Sequence, residues 1–219
     1  MKFLFSLPKR KSELSDQAND VIAMATLSER LAAEQRQRVA HISGKPENVA
    51  EHSLMLIKVA SALAQKYYPK LDISKVVQYA ALHDDVEAYV GDTPTGEWCD
   101  TDYDSKASRE DEGLQQLKHE FSEVFPDYVG MVEAYEQQED PESRFVRMID
   151  KVVVAAIQVT DGGQEARKHF TPDSYVSNEL HGFTKHKPNY PELGEVLDLK
   201  MEIAQYVADN LLKRSEHGS

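Results

Sequence analysis

Ligand-type residues on apolar helix faces constrain this 219-residue chain more than any other feature. His52 precedes Leu56, Val59 and Leu63 by four, seven and eleven residues, intervals that share one face of a helix. His52 is therefore expected on a buried stripe. A chain can bury such side chains only if its helices pack around them and something compensates their polarity.

The third predicted helix ends in a polar sequence, AALHDDVEAYVGDTPT, at Ala80–Thr95. Its His83 lies seven residues after Val76 and extends the same apolar face. Asp84 follows directly, and a glycine and a proline then end the helix. Histidine and aspartate side by side at the end of an apolar helix indicate a metal or acid-base site.

Asp150 lies in a strongly apolar helical segment. Val146, Val153, Val154 and Ile157 surround it at helical spacing. An unpaired carboxylate on such a face would cost on the order of several kcal/mol. A bound cation would compensate it.

Together, His52, His83, Asp84 and Asp150 form a set of two histidines and two carboxylates. Nitrogen and oxygen donors without sulfur suit one divalent transition ion, namely Mn, Co, Zn, Ni or Fe. The single cysteine, Cys99, excludes an intrachain disulfide and a Cys-based zinc site. Taken alone, each residue has an ordinary alternative as a hydrogen-bonded core histidine or a helix cap.

Glu87 and Asp92 are the candidate acid-base residues. On a continuous helix Glu87 would share the face of His83 and Asp84, within reach of a water on the metal. Asp92 follows a glycine turn and could orient that water or the leaving group. The alternatives are a solvent-facing charge for Glu87 and an Asx turn for Asp92.

Helical periodicity and few β-branched alternations predict an all-α fold of one domain, residues 1–219. We expect a core at about 15–160, then an irregular segment and a closing helix within 161–212, and a frayed tail at 213–219. The first helix is expected from Ser15 to about Arg38, a loop at 41–46, and a charged helix near 114–125.

The net charge of -13 argues against a nucleic-acid polymer as partner, because that binding depends on neutralising phosphates. No apolar run approaches the roughly 18 residues of a membrane span, and the first residues do not form a signal peptide. We expect a cytoplasmic protein without membrane contact. The apolar closing helix suggests either ordinary core packing or a homo-oligomer interface.

The order of the ligand residues resembles the HD-domain metal-dependent phosphohydrolases, whose motif is a histidine, a His-Asp pair and a distant aspartate. His52, His83, Asp84 and Asp150 fit that order. ENVAEHS at residues 47–53 and LHDDVEAYVGDTPT at residues 82–95 further resemble the YfbR-type 5′-deoxynucleotidases and related HD enzymes.

The resemblance implies a single helical HD-domain bundle with the metal in its core and hydrolysis of a phosphate ester by metal-activated water. It also implies that Glu87 and Asp92 are the catalytic acidic pair and that Arg38 binds phosphate. The interval from Arg38 to His52 is one residue shorter than in the family members that this sequence resembles, which leaves Arg36 as the alternative. Lys151 is a further candidate phosphate contact, or a surface lysine.

The function expected from the resemblance is a 5′-nucleotidase that converts (deoxy)nucleoside monophosphates to nucleoside and phosphate. The alternative within the family is a dNTP triphosphohydrolase, acting for example on dATP and releasing triphosphate. Val39 stands where the deoxynucleotidases have an aromatic residue, so selectivity for the deoxy sugar stays open. The sequence is also compatible with a non-catalytic nucleotide-binding regulator or a di-iron oxygenase.

Overall fold

A computed structural model describes residues 14–41, 43–92, 103–186 and 193–213 of the chain. Helices dominate this part, as the sequence predicts. They are α1 (Asp16–Ala33), α2 (Val49–Tyr67), α3 (Ile73–Leu82), α4 (Glu87–Val90), α5 (Tyr103–Phe121), α6 (Pro126–Gln137), α7 (Pro141–Thr160), α8 (Pro172–His186) and α9 (Gly194–Tyr206). A small antiparallel hairpin joins β1 (Gln35–Ala40) to β2 (Pro46–Asn48). The fold class is all-α.

Capping side chains set the starts of the main helices. Ser15, Asn48, Asp72 and Asp140 each accept hydrogen bonds from backbone N–H groups in the first turn of α1, α2, α3 and α7. Asn48 also forms a reciprocal capping box with Glu51 at distances of 2.8 and 3.1 Å. These bonds satisfy donors that a helix start leaves free.

The core lies where α2, α3 and α7 meet, and α9 covers another side of α7. The apolar residues buried there include Leu56, Ala60, Val76, Ala80, Phe145, Ile149 and Val153. The three central helices are the elements that carry, or lead directly into, the predicted ligand residues. The site is therefore built into the best-packed part of the described chain.

The prediction that the first helix reaches Arg38 is wrong, because α1 ends at Ala33. Glu34 takes an extended conformation, and β1 then pairs with β2. Gly44, at φ 77°, closes the hairpin, and its N–H donates to the His41 carbonyl at 2.7 Å. A helical pattern within one segment does not show that these two segments pair.

The prediction that the third helix continues to Gly91 is also wrong, since α3 ends at Leu82 and a separate α4 covers Glu87–Val90. The N–H groups of Asp85 and Glu87 donate to the carbonyls of Leu82 and Asp84, three residues back, at 3.0 and 2.9 Å. The backbone thus makes a tight turn before the short α4. His83 is thus the buried C-cap residue of α3, and Asp84 lies in the turn that follows.

The expectation of an irregular segment after residue 161 is corrected by α8. Thr171 and Ser174 cap it reciprocally, with N–H to hydroxyl distances of 2.9 and 3.2 Å, and Pro172 is its first residue. The charged helix α5 likewise begins earlier than predicted, at Tyr103. Residues 214–219 of the predicted tail lie outside the described residues.

The C-terminal elements bury apolar residues of their own. A 3-10 turn (Ala166–Lys168), α8, α9 and the π-helical Val207–Leu212 contribute to a second cluster. Its buried members are Ala166, Tyr175, Ala204, Val207, Ala208 and Leu212. The start of the closing helix instead buries Val196 and Leu197 in the main core. The single domain over 1–219 and the homo-oligomer stay predictions.

Gly113 tests the close approach of α5 to the turn before α4. A Cβ at this position would lie 2.7 Å from the carbonyl oxygen of Val86 and 3.3 Å from Cγ2 of Val90. Gly113→Ala is expected to lower the free energy of unfolding by about 1–3 kcal/mol, because overpacking forces the backbone to shift. Urea denaturation would measure the change.

Gly130→Ala is the matched control. Gly130 lies within α6, and among the described residues no atom comes within 4 Å of an added Cβ. Alanine is favoured over glycine in a helix by about 0.5–1 kcal/mol, so stability should be kept or raised. Equal losses in both variants would contradict the steric explanation.

Candidate metal centre

Three ligand-type residues converge in the core. One comes from α2, one from the turn that follows α3, and one from α7. One donor atom each from His52, His83 and Asp150 lies within 4.8 Å of the other two. These side chains are buried, with 0%, 4% and 7% of their residue surfaces exposed. Side chains distant in sequence thus meet away from bulk water.

Asp84 joins this group through His83. Its Oδ2 lies 2.9 Å from His83 Nε2, and the same oxygen accepts a hydrogen bond from Arg36 at 2.9 Å. The structure therefore brings together the four residues that the sequence predicts as ligands. We call His52, His83, Asp84 and Asp150 the ligand set.

The His83 ring suits a metal ligand. Its Nδ1 lies 3.1 Å from the carbonyl oxygen of Ala80, which can only accept, so Nδ1 carries a proton. Nε2 is buried and, despite its proximity to Asp84, has no hydrogen bond of acceptable geometry within the described chain. An Nε2 atom without a hydrogen-bond partner that faces a carboxylate fits a cation that both groups could bind.

His52 is held from both sides of its ring. Nε2 lies 2.9 Å from Asp150 Oδ1, and Nδ1 lies 3.5 Å from Glu47 Oε2. Burial and the charge of Arg36 lower the pKa of His52, but the hydrogen bond to Asp150 and the nearby carboxylate of Glu47 outweigh them and raise it to about 9. The Nε2 atom faces the ligand set.

Both aspartates of the ligand set are ionised. Burial would raise the pKa of Asp84, but the neighbouring His83 and the charge of Arg36 hold it below its usual range. Burial acts the same way on Asp150, whose pKa is held well below normal by Lys151 and by the hydrogen bond with His52. Ionised, buried carboxylates are the form that binds a metal ion.

Arg36 is the arginine that lies at this site. Its guanidinium contacts Asp84, and its Nε lies 3.6 Å from Glu47 Oε2. Burial would lower its pKa, but four surrounding carboxylates raise it above its usual value. In order of decreasing effect they are Asp84, Asp150, Glu87 and Asp92. The side chain of Arg38 lies outside the described residues.

Lys151 contacts the ligand set directly, and Glu87 and Asp92 lie near enough to Arg36 to act on its charge. Glu87 begins α4 and is 9% exposed, while the backbone N–H of Asp92 donates to Glu34 Oε1 at 3.2 Å. Lys151 Nζ lies 2.8 Å from Asp150 Oδ2. Its ammonium is thus paired with a member of the ligand set rather than directed to solvent alone.

Glu47 is the residue at the site for which the sequence pattern predicts no role. It is fully buried in β2, directly before the N-cap of α2, and faces both Arg36 and His52. The signal that could have found it is its place at the start of the ENVAEHS block. Only the fold shows that this acidic residue points inward.

With this geometry established, comparison with known proteins identifies the family. The chain matches the HD domain family over residues 28–187. It belongs to the HD domain family. The family match includes all four residues of the ligand set and extends from within α1 to the end of α8.

Sequence similarity to a 5′-deoxynucleotidase accompanies this match. Over 120 residues the chain is 31% identical to the 5′-deoxynucleotidase VP0926 of Vibrio parahaemolyticus, and the alignment covers 50% of this chain. It spans 60% of that protein, which is less than two thirds of its length.

Solved structures share the fold. A predicted metal-dependent phosphohydrolase of Magnetospirillum magnetotacticum MS-1 aligns with a TM-score of 0.63 and 20% identity, over 90% of this chain and 96% of that one. The PH0347 protein of Pyrococcus horikoshii OT3 aligns with a TM-score of 0.57 and 21% identity, over 83% and 99%. Within the described residues, no helix is long and apolar enough to cross a membrane.

Metal addition should stabilise the protein through the ligand set. At a concentration of Mn²⁺ or Co²⁺ of about 100 times its Kd, binding adds about 2.7 kcal/mol, or roughly 5–10 °C in Tm for a chain of this size. His83→Ala should lose the shift, because it removes one donor. Thermal denaturation followed by circular dichroism measures both.

His169→Ala serves as the control for this experiment. His169 is exposed and pairs with Glu165 on the surface, outside the ligand set. Its variant should keep the full metal-dependent shift. Shifts of equal size in His83→Ala and His169→Ala would mean that the ion binds elsewhere.

Proposed function

We propose that this protein is a metal-dependent nucleotide phosphohydrolase. Its substrate would be a (deoxy)nucleoside 5′-monophosphate, cleaved to nucleoside and phosphate. The observation that carries this proposal is the convergence of the ligand set, of which His52, His83 and Asp150 are buried, beside Arg36 and the buried Glu87. The similarity to a 5′-deoxynucleotidase supports the choice of substrate.

The residues of the ligand set would hold one divalent transition ion, Mn, Co, Zn, Ni or Fe. Two imidazoles and two carboxylates provide the mixed nitrogen and oxygen donors that such ions accept. A bound ion supplies Lewis acidity and lowers the pKa of a coordinated water. The protein contributes the fixed positions of the donors, three of which are buried away from bulk water.

Glu87 would move the proton. It lies three residues after Asp84, at the start of α4, and its carboxylate is largely removed from solvent. From there it would accept a proton from the attacking water and return it to the leaving 5′ oxygen. Asp92 lies close enough to influence Arg36 electrostatically and would help orient the reacting groups.

Arg36 would bind the phosphate, with Lys151 as a second cation. A chain of net charge -13 repels a nucleotide at long range, so affinity must come from placed cations acting at short range with little screening. Arginine presents a planar set of donors that matches phosphate oxygens. Arg38 stays the alternative phosphate contact that the sequence predicts.

A nucleotide panel with product analysis tests the function. In the presence of Mn²⁺ or Co²⁺, monophosphates should release inorganic phosphate. Release of triphosphate from dNTPs would instead select the triphosphohydrolase alternative. Inactivity with mono-, di- and triphosphates would favour a regulatory nucleotide-binding role, and two irons per chain with oxygen consumption would indicate an oxygenase.

Kinetic variants should separate proton transfer from phosphate binding. Glu87→Gln is expected to lower kcat by roughly 10²- to 10⁴-fold with a similar KM, because an amide cannot exchange the proton. Arg36→Ala should chiefly raise KM, since it removes a phosphate-binding cation. Arg38→Ala, measured alongside, shows which arginine contacts the substrate.

Glu133→Gln is the control for these variants. Glu133 pairs with Lys118 between α5 and α6, away from the ligand set. Its kcat and KM should match those of the unmodified protein. A Glu87→Gln protein with unchanged kcat would remove Glu87 from the proton-transfer role.

A further inference from the structure

Glu47 is a buried acidic residue that the proposed reaction does not use. It lies in β2, one residue before the capping Asn48 of α2, and none of its surface is exposed. Within the described chain, neither carboxylate oxygen makes a hydrogen bond of acceptable geometry. The ion-pair contacts of Glu47 are instead with two residues of the candidate site.

Stability alone does not explain a carboxylate in this position. Desolvating such a group costs several kcal/mol, and replacing a buried ion pair by apolar side chains is often neutral or stabilising. The positive charge of Arg36, whose Nε is 3.6 Å away, offsets part of this cost. Because the pairing with Arg36 does not account for Glu47, its role is sought in the second residue that it contacts.

That residue is His52. Glu47 Oε2 lies 3.5 Å from Nδ1, whereas Asp150 Oδ1 lies 2.9 Å from Nε2, at the other nitrogen of the ring. Glu47 therefore approaches His52 from the side away from the ligand set. As long as no ion lies between Nε2 and Asp150, their 2.9 Å hydrogen bond keeps a proton on Nε2. Once an ion binds both of these atoms, a carboxylate beside Nδ1 favours the tautomer with its proton on Nδ1 and leaves Nε2 as the donor to the ion.

We propose that Glu47 is a positioning residue that fixes the ring orientation and tautomer of His52 for metal binding. It acts through His52 and contacts neither substrate nor metal. This inference rests on the metal site of the proposed function. It extends that proposal by assigning a role to a residue outside the ligand set.

Graded substitutions at Glu47 test the proposal by isothermal titration of metal-free protein with MnCl₂, without nucleotide. Glu47→Gln keeps an acceptor oxygen but loses the charge, whereas Glu47→Leu loses both. The Kd for Mn²⁺ should rise in both, by roughly 10- to 100-fold, with the larger rise in the leucine variant. Unchanged Kd values in both folded variants would overturn the proposal.

Glu142→Gln is the matched control for removing a buried carboxylate. Glu142 is 8% exposed, accepts a hydrogen bond from the Asp72 backbone N–H at 2.9 Å, and lies in the first turn of α7. This variant should keep the Mn²⁺ affinity of the unmodified protein, whatever its thermal stability. A comparable loss of affinity in Glu142→Gln would show a general effect of core polarity and overturn the specific role of Glu47.

A spectroscopic measurement covers the case in which the Glu47 variants do not fold. In the Zn²⁺-loaded unmodified protein, long-range ¹⁵N–¹H correlation should show His52 protonated at Nδ1, with a downfield proton shift typical of a hydrogen bond to a carboxylate. A His52 ring protonated at Nε2, or an Nδ1 proton at an ordinary shift, would contradict the proposal. In folded Glu47→Gln this proton should move upfield.

The outcomes also separate this inference from the proposed function. If the unmodified protein binds none of Mn²⁺, Co²⁺ and Zn²⁺, the metal site and the inference built on it both fail. If it binds metal and the Glu47 variants bind equally well, only the inference fails. If metal affinity depends on Glu47 but no nucleotide is hydrolysed, the positioning role stands and the proposed activity fails.

Discussion

The pair between His52 and Asp150 joins α2 to α7 at the centre of the protein. An ionised carboxylate in this position is stable only because His52 and Lys151 each hold one of its oxygens. Around this pair the apolar side chains of α2, α3 and α7 form a continuous core. Removing either partner would leave a buried charge, which is costlier than losing a surface ion pair.

The tight turn after α3 explains how two adjacent residues can serve one centre. Consecutive residues on a regular helix point about 100° apart, so His83 and Asp84 would diverge if α3 continued. In the turn, Oδ2 of Asp84 instead lies 2.9 Å from Nε2 of His83. The same turn leads into α4, which begins at Glu87. The same turn therefore positions both Asp84 of the ligand set and Glu87, the candidate proton carrier.

Helical periodicity was sufficient to place His52 and Asp150 on buried faces, because burial along one helix is a local property of the sequence. The metal-binding role of the His83–Asp84 pair stays a prediction, whereas its backbone differs from the continuous helix that the sequence predicts. The turn lies where Gly113 of α5 comes close to Val86, a contact between distant residues that helical periodicity does not show. The hairpin could not be predicted, because β1 pairs with residues beyond Gly44. Because Arg36 and Glu47 lie on the two strands of this hairpin, the sequence alone does not indicate how they enter the site.

The two cations at the site have a consequence for assembly. Arg36 and Lys151 provide counterions from within the chain for Asp84 and Asp150. A small zinc finger lacks such internal neutralisation and folds only when its ion arrives. Here the helices can pack around the neutralised carboxylates before any ion is present. Folding of the chain and binding of the metal ion can therefore be separate events. The strand β1 thus supplies, through Arg36, a positive charge that the buried site needs in order to fold without its ion.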